Sequence, residues 1–505
     1  MTSTPPEAAP GRTRAVLAVD QGTTNTKALL VADDGRVVAS ASRGVSVSCP
    51  QPGWVEQDAL ELWAATADAA RAALAAVPEV EVVGLALSTQ RESAIAWSAA
   101  SAAPLGPVLG WQDARTAGDC DELRESWGDE VVRTTGLPLD PMYSAPKMRW
   151  LIDHAIRAGA AADDVRVGTV DSWLLHRLTG RHVTEAGNAS RTLLLDLHEV
   201  RWSERLLDVF GIPASALPDV IASDGDFGVV VGVDGLDGLP VLAVLADSHA
   251  ALYAQGCRRP GQAKATFGTG SSVMTPCSSS RDASGSGVTT TLAWQTSQDA
   301  TYALEGNIIA SGAALEAVAR WLGVGGGSAV SALAATATDN GGVHLVPAFA
   351  GLGAPYWDRE AQGIVTGLTT STTREHLARA ALEGVAHQVA DVVGAMEQGT
   401  GIVLDQLHAD GGATSSGLLM QLQADLAGRP VRVAEIAEAS AVGVAQLAWS
   451  RLGVALPEKG DGRMYVPLLE GVARQQQRAG WAAAVARSRG IEVGDRADVH
   501  HEREI

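Results

Sequence analysis

The stretch Val16-Leu17-Ala18-Val19-Asp20-Gln21-Gly22-Thr23-Thr24-Asn25-Thr26-Lys27-Ala28-Leu29-Leu30 constrains the fold of this chain more than any other. An apolar run ends in an acid, a polar turn follows, and a second apolar run leaves it, which is the pattern of a β-hairpin. Gly22 permits a tight turn. Hydroxyls and backbone N–H groups of Thr23, Thr24 and Asn25 can point into that turn, where a phosphate fits. Lys27 adds a point charge, and Asp20, at the strand end, can hold Mg2+ through water. Alone, the stretch also reads as a polar hairpin of no special function. The design recurs, however, in Ala265-Thr266-Phe267-Gly268-Thr269-Gly270-Ser271-Ser272-Val273-Met274, close to half a chain further on. Two such hairpins, one per half, predict a duplicated fold with a phosphate-binding cleft between the copies.

A chain of 505 residues is too long for one ordinary core, so two large domains are expected. The reading is a tail at 1–13, an N-terminal domain at 14–250, a C-terminal domain at 251–486, and a charged, aperiodic tail at 487–505. The net charge of −20 argues against a nucleic-acid surface and against docking on anionic lipid. No apolar run has the length of a membrane span, and residues 1–13 lack the apolar core of a secretory signal. The four cysteines are scattered without metal-ligand spacing, and a reducing cytoplasm is the expected compartment. Buried strands are read at 81–88 and 239–245, a surface loop at 278–287, and helices at 142–154, 310–322, 373–398, 418–426 and 439–451, the last taken as the final buried helix.

Three strands end in polar residues: Asp20, then Thr89-Gln90-Arg91-Glu92, then Asp247-Ser248-His249. In open α/β sheets the carboxyl ends of strands line the ligand crevice. Asp247 closes a near-pure apolar strand and can take a hydroxyl proton as general base; its competing role is to cap the helix that follows. Arg91 and Glu92 offer a donor and an acceptor to vicinal hydroxyls, or else form a surface ion pair of little worth. Trp111 is either core or an apolar wall against a small polyol. Gly411-Gly412, after a strand and before a helix, allow a nucleotide to approach the backbone. No GxxxxGK[ST] run is present, nor the Gly-rich loop, HRD and DFG set of protein kinases.

Taken together, Asp20-Gln21-Gly22-Thr23-Thr24, Gln90-Arg91-Glu92, Trp111-Gln112-Asp113-Ala114-Arg115, Phe267-Gly268-Thr269-Gly270, the run from Pro347 through Phe349 to Trp357, and Asp410-Gly411-Gly412-Ala413 resemble the FGGY family of carbohydrate kinases, most closely its glycerol-phosphorylating members. Both family signature segments are present, one with Lys147 and Trp150, the other with Gly367, Leu368, His376 and Leu377. The resemblance implies an α/β, two-domain, actin-like (ribonuclease-H-like) fold closing on ATP and Mg2+. It implies Asp247 as general base, Asp20 and Asp247 at the metal, and Arg91, Glu92, Trp111 and Asp247 around the acceptor. Thr23, Thr24, Asn25 and Lys27 match the first phosphate loop and Gly268 and Thr269 the second, while Gly312, Glu316, Gly412 and Ser416 match positions near the nucleotide. The implied reaction is phosphorylation of glycerol to glycerol 3-phosphate in a homodimer or homotetramer.

The chain departs from that pattern in its pocket. Ser272 stands where a Phe usually packs on glycerol. Met142, followed by Tyr143, stands where a Tyr usually holds a hydroxyl. Ser248-His249 replaces Gln-Gln, Ser416 an Asn, and Glu316 a Gln. A longer polyol or ketose (erythritol-, xylitol- or xylulose-like) is therefore a second reading of the substrate. A non-catalytic, nucleotide-dependent regulator on the same fold is a third reading.

Overall fold

The computed structural model describes residues 12–279, 285–433, 438–457 and 462–491. Strands β1 (Arg14–Gln21), β2 (Asn25–Ala32) and β3 (Val37–Gly44) form an antiparallel meander. Helix α1 (Ala59–Ala76) then carries the chain to β4 (Glu81–Thr89), parallel to β1. Helices α2 (Ala117–Thr135) and α3 (Ser144–Arg157) follow, and β5 (Val241–Ala246) completes a sheet of order β5-β4-β1-β2-β3. Helix α4 (Asp247–Ala254) leaves it.

The second half repeats the plan. Strands β6 (Gln262–Phe267), β7 (Ser271–Cys277), β8 (Thr289–Gln295) and β9 (Ala300–Ile308) run antiparallel in the order β8-β9-β7-β6. After helices α5 (Gly312–Leu322) and α6 (Arg374–Thr400), β10 (Gln406–Asp410) adds parallel to β6. Helix α7 (Gly417–Ala427) leads to β11 (Val431–Val433), parallel to β10, and α8 (Ala439–Arg451) to the edge strand β12 (Arg463–Tyr465). Each domain thus opens with an antiparallel meander, of three strands in the first and four in the second, and adds two parallel strands beside its first strand, the duplication that the paired hairpins announce; the second sheet ends in the extra antiparallel edge strand β12.

Strand alternation decides what the cleft receives. Leu17 and Val19 of β1 pack in the core under α1, whereas Val16 and Ala18 belong to a cluster shared with the other half. Side chains two apart share a face, so Asp20 points to the inter-domain side. The same rule in the second sheet puts Ala265, Phe267, Val273 and Leu304 in its own core. Met274 and Ala303 lie in the shared cluster, and Ser272 and Glu305 follow them on that face. Helices α4 and α8 pack between the domains, where the backbones of Gly443 and Ala250 come so close that a β-carbon on Gly443 would lie 1.8 Å from the Ala250 carbonyl oxygen.

Several expectations change. The 142–154 helix begins at Ser144, because Pro141 and an extended Tyr143 precede it, and runs to Arg157. The 373–398 helix starts after Thr373, which caps it in a box with His376, and ends at Thr400. Helix α2 lies outside the expected elements: it buries only Cys120, Val131 and Thr135, an apolar stripe too sparse to show the helical period. The helix at 439–451 is not the last, since α9 (Gly471–Ser488) follows, burying Trp481 and Ala484 and running two residues into the segment read as tail. Residues 280–284 of the expected loop, residues 492–505 and most of 1–13 lie outside the described residues.

Candidate active site

The parallel strands β1, β4 and β5 end side by side, with Asp20 in register with Ser88 and Ala246 with Thr89. Ser88 donates from Oγ to Asp20 Oδ1 at 2.8 Å. Burial raises the Asp20 carboxyl to about 7 against that hydrogen bond, and the charge of Asp247 adds to the rise. Asp247 is raised too, by burial first, with Arg91 opposing. Two carboxylates held up in this way favour a cation between them. In helix α4 the N-cap position belongs to Ala246, so Asp247 opens the helix rather than capping it. Both contacts of its carboxylate fall on Oδ1: the Ser248 N–H at 2.6 Å and Arg91 Nε at 3.4 Å. The Asp247 side chain is 35% exposed, and among the described residues no hydrogen bond or ion pair falls on its Oδ2.

Arg91 sits at the centre of a buried charge cluster. Its Nη1 and Nη2 donate to Glu305 at 3.0 and 2.7 Å, and its Nε lies 3.7 Å from Glu92 Oε1. Arg191 donates from Nε to Glu92 Oε1 at 2.7 Å and places Nη1 2.9 Å from Glu305 Oε2. Glu92 has a φ of +60°, unusual for a side chain with a β-carbon. Ser144 Oγ and Lys147 Nζ, at the start of α3, hold its carbonyl at 3.1 and 3.3 Å. Burial brings the Lys147 ammonium down to about 7. Tyr143 is fully buried, with its ring under the Arg191 guanidinium rather than open to the cleft. Met142 is partly buried, and its carbonyl accepts from Lys147.

The first hairpin turns through a Gly22 N–H bond to the Asn25 carbonyl at 3.0 Å. No left-handed φ is involved; a β-carbon on Gly22 would come within 3.2 Å of the Asn25 oxygen, so close approach is what favours glycine. Thr23 Oγ1 accepts from Trp111 Nε1 at 3.1 Å, which leaves its O–H proton for another acceptor. Half-exposed Trp111 thereby ties the acceptor side to the phosphate turn. Lys27, in register with Asp20, is paired with Glu438 at 2.5 Å. A phosphate would have to compete for it.

Gly268, Thr269, Gly312, Glu316, Gly412 and Ser416 line one cavity of about 550 Å³. The backbone closes tightly around it. A β-carbon on Gly312 would meet the Gly268 oxygen at 2.6 Å. Glu316 accepts from the Gly327 N–H at 2.8 Å, and Ser416 caps α7 through the Leu419 N–H. Among the described residues, no three or more His, Cys, Asp or Glu side chains form a group that could hold a metal. No described helix is long and apolar enough to cross a membrane.

The sequence model of the N-terminal domain of the FGGY family of carbohydrate kinases matches residues 15–254, and that of the C-terminal domain matches 263–451. The chain belongs to the FGGY family of carbohydrate kinases. It is 42% identical over 488 residues to glycerol kinase of Alkalilimnicola ehrlichii, covering 94% of this chain and 99% of the relative. To glycerol kinase of Citrifermentans bemidjiense it is 41% identical over 491 residues, covering 94% and 99%. The crystal structure of Plasmodium falciparum glycerol kinase with ADP superposes with a TM-score of 0.90 at 26% identity, covering 95% of this chain and 99% of that one. That of xylulose kinase from Rhodospirillum rubrum gives 0.82 at 28%, covering 94% and 99%.

This FGGY member is therefore an ATP-dependent kinase of a small sugar or polyol on a two-domain α/β fold, not a non-catalytic regulator. Sequence reasoning missed Arg191, Glu305 and Glu438. Glu305 had a signal, a lone charge inside the apolar strand Ala303-Leu304-Glu305, which must find a partner when buried. Its partner lies in the other domain.

Proposed function

We propose that this kinase transfers the γ-phosphoryl group of ATP to a terminal hydroxyl of glycerol, giving glycerol 3-phosphate, with Asp247 as general base. The observation that carries this is the meeting of Asp247, Arg91 and Glu92 at the carboxyl ends of adjacent strands, with the Asp247 side chain 35% exposed and contacted only at Oδ1 among the described residues. Arg91 and Glu92 hold two hydroxyls, Trp111 walls the carbon chain, and Asp247 accepts the proton of the third hydroxyl. That oxygen then attacks the γ-phosphorus as the bond to the β-phosphate oxygen breaks and ADP leaves. Phosphoryl transfer asks mainly for positioning and charge stabilisation. Asp20 and Asp247, raised by burial and facing one cleft, fit a bound Mg2+, which would neutralise charge on the phosphates. The two glycine-threonine turns supply hydroxyl and N–H donors to the phosphates. Release of ADP with a panel of polyols and ketoses tests the reading, and no turnover with any of them would sink it.

Ser272 favours a second acceptor. It lies on the cleft-facing side of β7, in register with Asn307 of β9. A small hydroxyl side chain there leaves room beyond a third carbon and offers another hydrogen bond. On this reading a four- or five-carbon polyol or ketose has a higher kcat/KM than glycerol. Ser272→Phe is then expected to shift the kcat/KM ratio toward glycerol by about 10- to 200-fold. The second acceptor is excluded if wild type prefers glycerol to every longer acceptor and the variant leaves the ratio unchanged.

Both turns are proposed to serve one nucleotide. Thr23→Val and Thr269→Val are each expected to raise the KM for ATP by roughly tenfold, the scale of one hydrogen bond to a charged group. Calorimetric titration should show a single ATP site per chain. Two independent sites would refute the shared cleft.

A further inference from the structure

We infer that Glu305 and Arg191 are positioning residues for the acceptor, so that a carboxylate of the C-terminal domain aims the N-terminal domain's grip on the substrate hydroxyls. This rests on the reading of Arg91 and Glu92 as the groups that hold the acceptor. Arg91 is 9% exposed and Glu92 5%, whereas Arg191 and Glu305 are completely buried. Both oxygens of Glu305 are taken, Oε1 by Arg91 Nη2 and Oε2 by Arg91 Nη1, with Arg191 Nη1 2.9 Å from the latter. Glu305 therefore has no face left for a ligand and acts through Arg91.

The geometry gives that action a purpose. A guanidinium is a rigid plane with donors on two edges. Glu305 takes the Nη edge with two hydrogen bonds, which turns Nε toward Asp247 at 3.4 Å and Glu92 at 3.7 Å. Arg191 does the same for Glu92, joining its Oε1 to Glu305. The charges of Arg91, Arg191, Glu92 and Glu305 cancel, two positive and two negative, so the cluster is balanced without Asp247, which Arg91 reaches only by Nε. Without Glu305, the long Arg91 side chain would be free to swing its Nη edge onto Asp247, which lies nearer to it than Glu92 and is not held by Arg191, and cover the base. Because Glu305 rides on β9 and Arg91 on the exit of β4, this aim holds only while the two domains are together.

The test uses the full-length enzyme with glycerol, xylitol and xylulose as acceptors and compares wild type with Glu305→Gln, Glu305→Asp and Arg191→Lys. Acceptor KM, ATP KM, kcat and the thermal melt are read for each. In Glu305→Gln the acceptor KM should rise roughly tenfold or more, the cost of a lost charged hydrogen bond. The ATP KM should stay within about twofold. Glu305→Asp, which keeps the charge on a shorter arm, should recover part of the loss, and Arg191→Lys should raise the acceptor KM in the same direction. The inference is overturned if acceptor KM stays within about twofold in every variant that melts cooperatively, or if ATP KM rises in step with it. It is also overturned if no variant melts cooperatively, since the cluster would then hold the fold rather than aim Arg91. Wild type that phosphorylates no acceptor overturns the acceptor reading and this inference together; active wild type with unmoved variants overturns this inference alone.

Discussion

Asp247→Asn is expected to keep the fold and the affinity for ATP and to lose turnover by about 100-fold or more, the usual scale for removing a general base. The amide is close in shape to the carboxylate, and the Ser248 N–H can still donate to its oxygen, so the start of α4 stays in place. What goes is the ability of the side chain to take a proton. Arg91 also loses one anionic neighbour but keeps its two bonds to Glu305, which should hold the acceptor KM close to wild type. Steady-state kinetics with the best acceptor, together with ATP titration, check this. Turnover within a few-fold of wild type would remove Asp247 from the role of base.

Gly443→Ala should be the more damaging change to the fold. Its β-carbon would lie 1.8 Å from the carbonyl oxygen and 2.6 Å from the carbonyl carbon of Ala250. These are backbone atoms, so no side chain can move aside, and α8 must lift from α4. Overpacking of this kind costs about 3 kcal/mol, or on the order of 5–10 °C in melting temperature. The shift would reach the active site, because Ser440 of α8 donates to the Asp247 carbonyl at 3.0 Å and Glu438, at the head of α8, pairs with Lys27. Gly394→Ala is the matching control. That glycine lies in α6 with nothing within 4 Å of an added β-carbon, so alanine should stabilise by up to about 1 kcal/mol through helix propensity alone. Equal melting temperatures for the two variants would show that the contact between α4 and α8 is looser than its geometry implies.

Much of the local design was legible in order along the chain. The hairpins at Gly22 and Gly268, the acid at the end of β1, and the polar exits of β4 and β5 are signals carried by neighbours in sequence. Helix α6 declared itself by its apolar face, which runs from Ala378 to Met396 and is buried. Helix α9 did not: much of its surface is charged or exposed, and it contributes only Trp481, Ala484, Val485 and Ser488 to the interior. A short buried stripe of that kind is too sparse to read against a polar background.

The amino-acid sequence alone determined the family and the two-fold plan, and it singled out the residues proposed to meet phosphate or polyol, because hydrogen-bonding turns and strand ends depend on adjacent residues and on the period of two. Only the tertiary structure decided how those residues are aimed. Lys27 meets Glu438 across 411 positions and Arg91 meets Glu305 across 214, and nothing in either neighbourhood names the partner. A buried charge requires a counter-charge, but which one it receives depends on how two sheets, each folded by its own local pattern, are brought face to face.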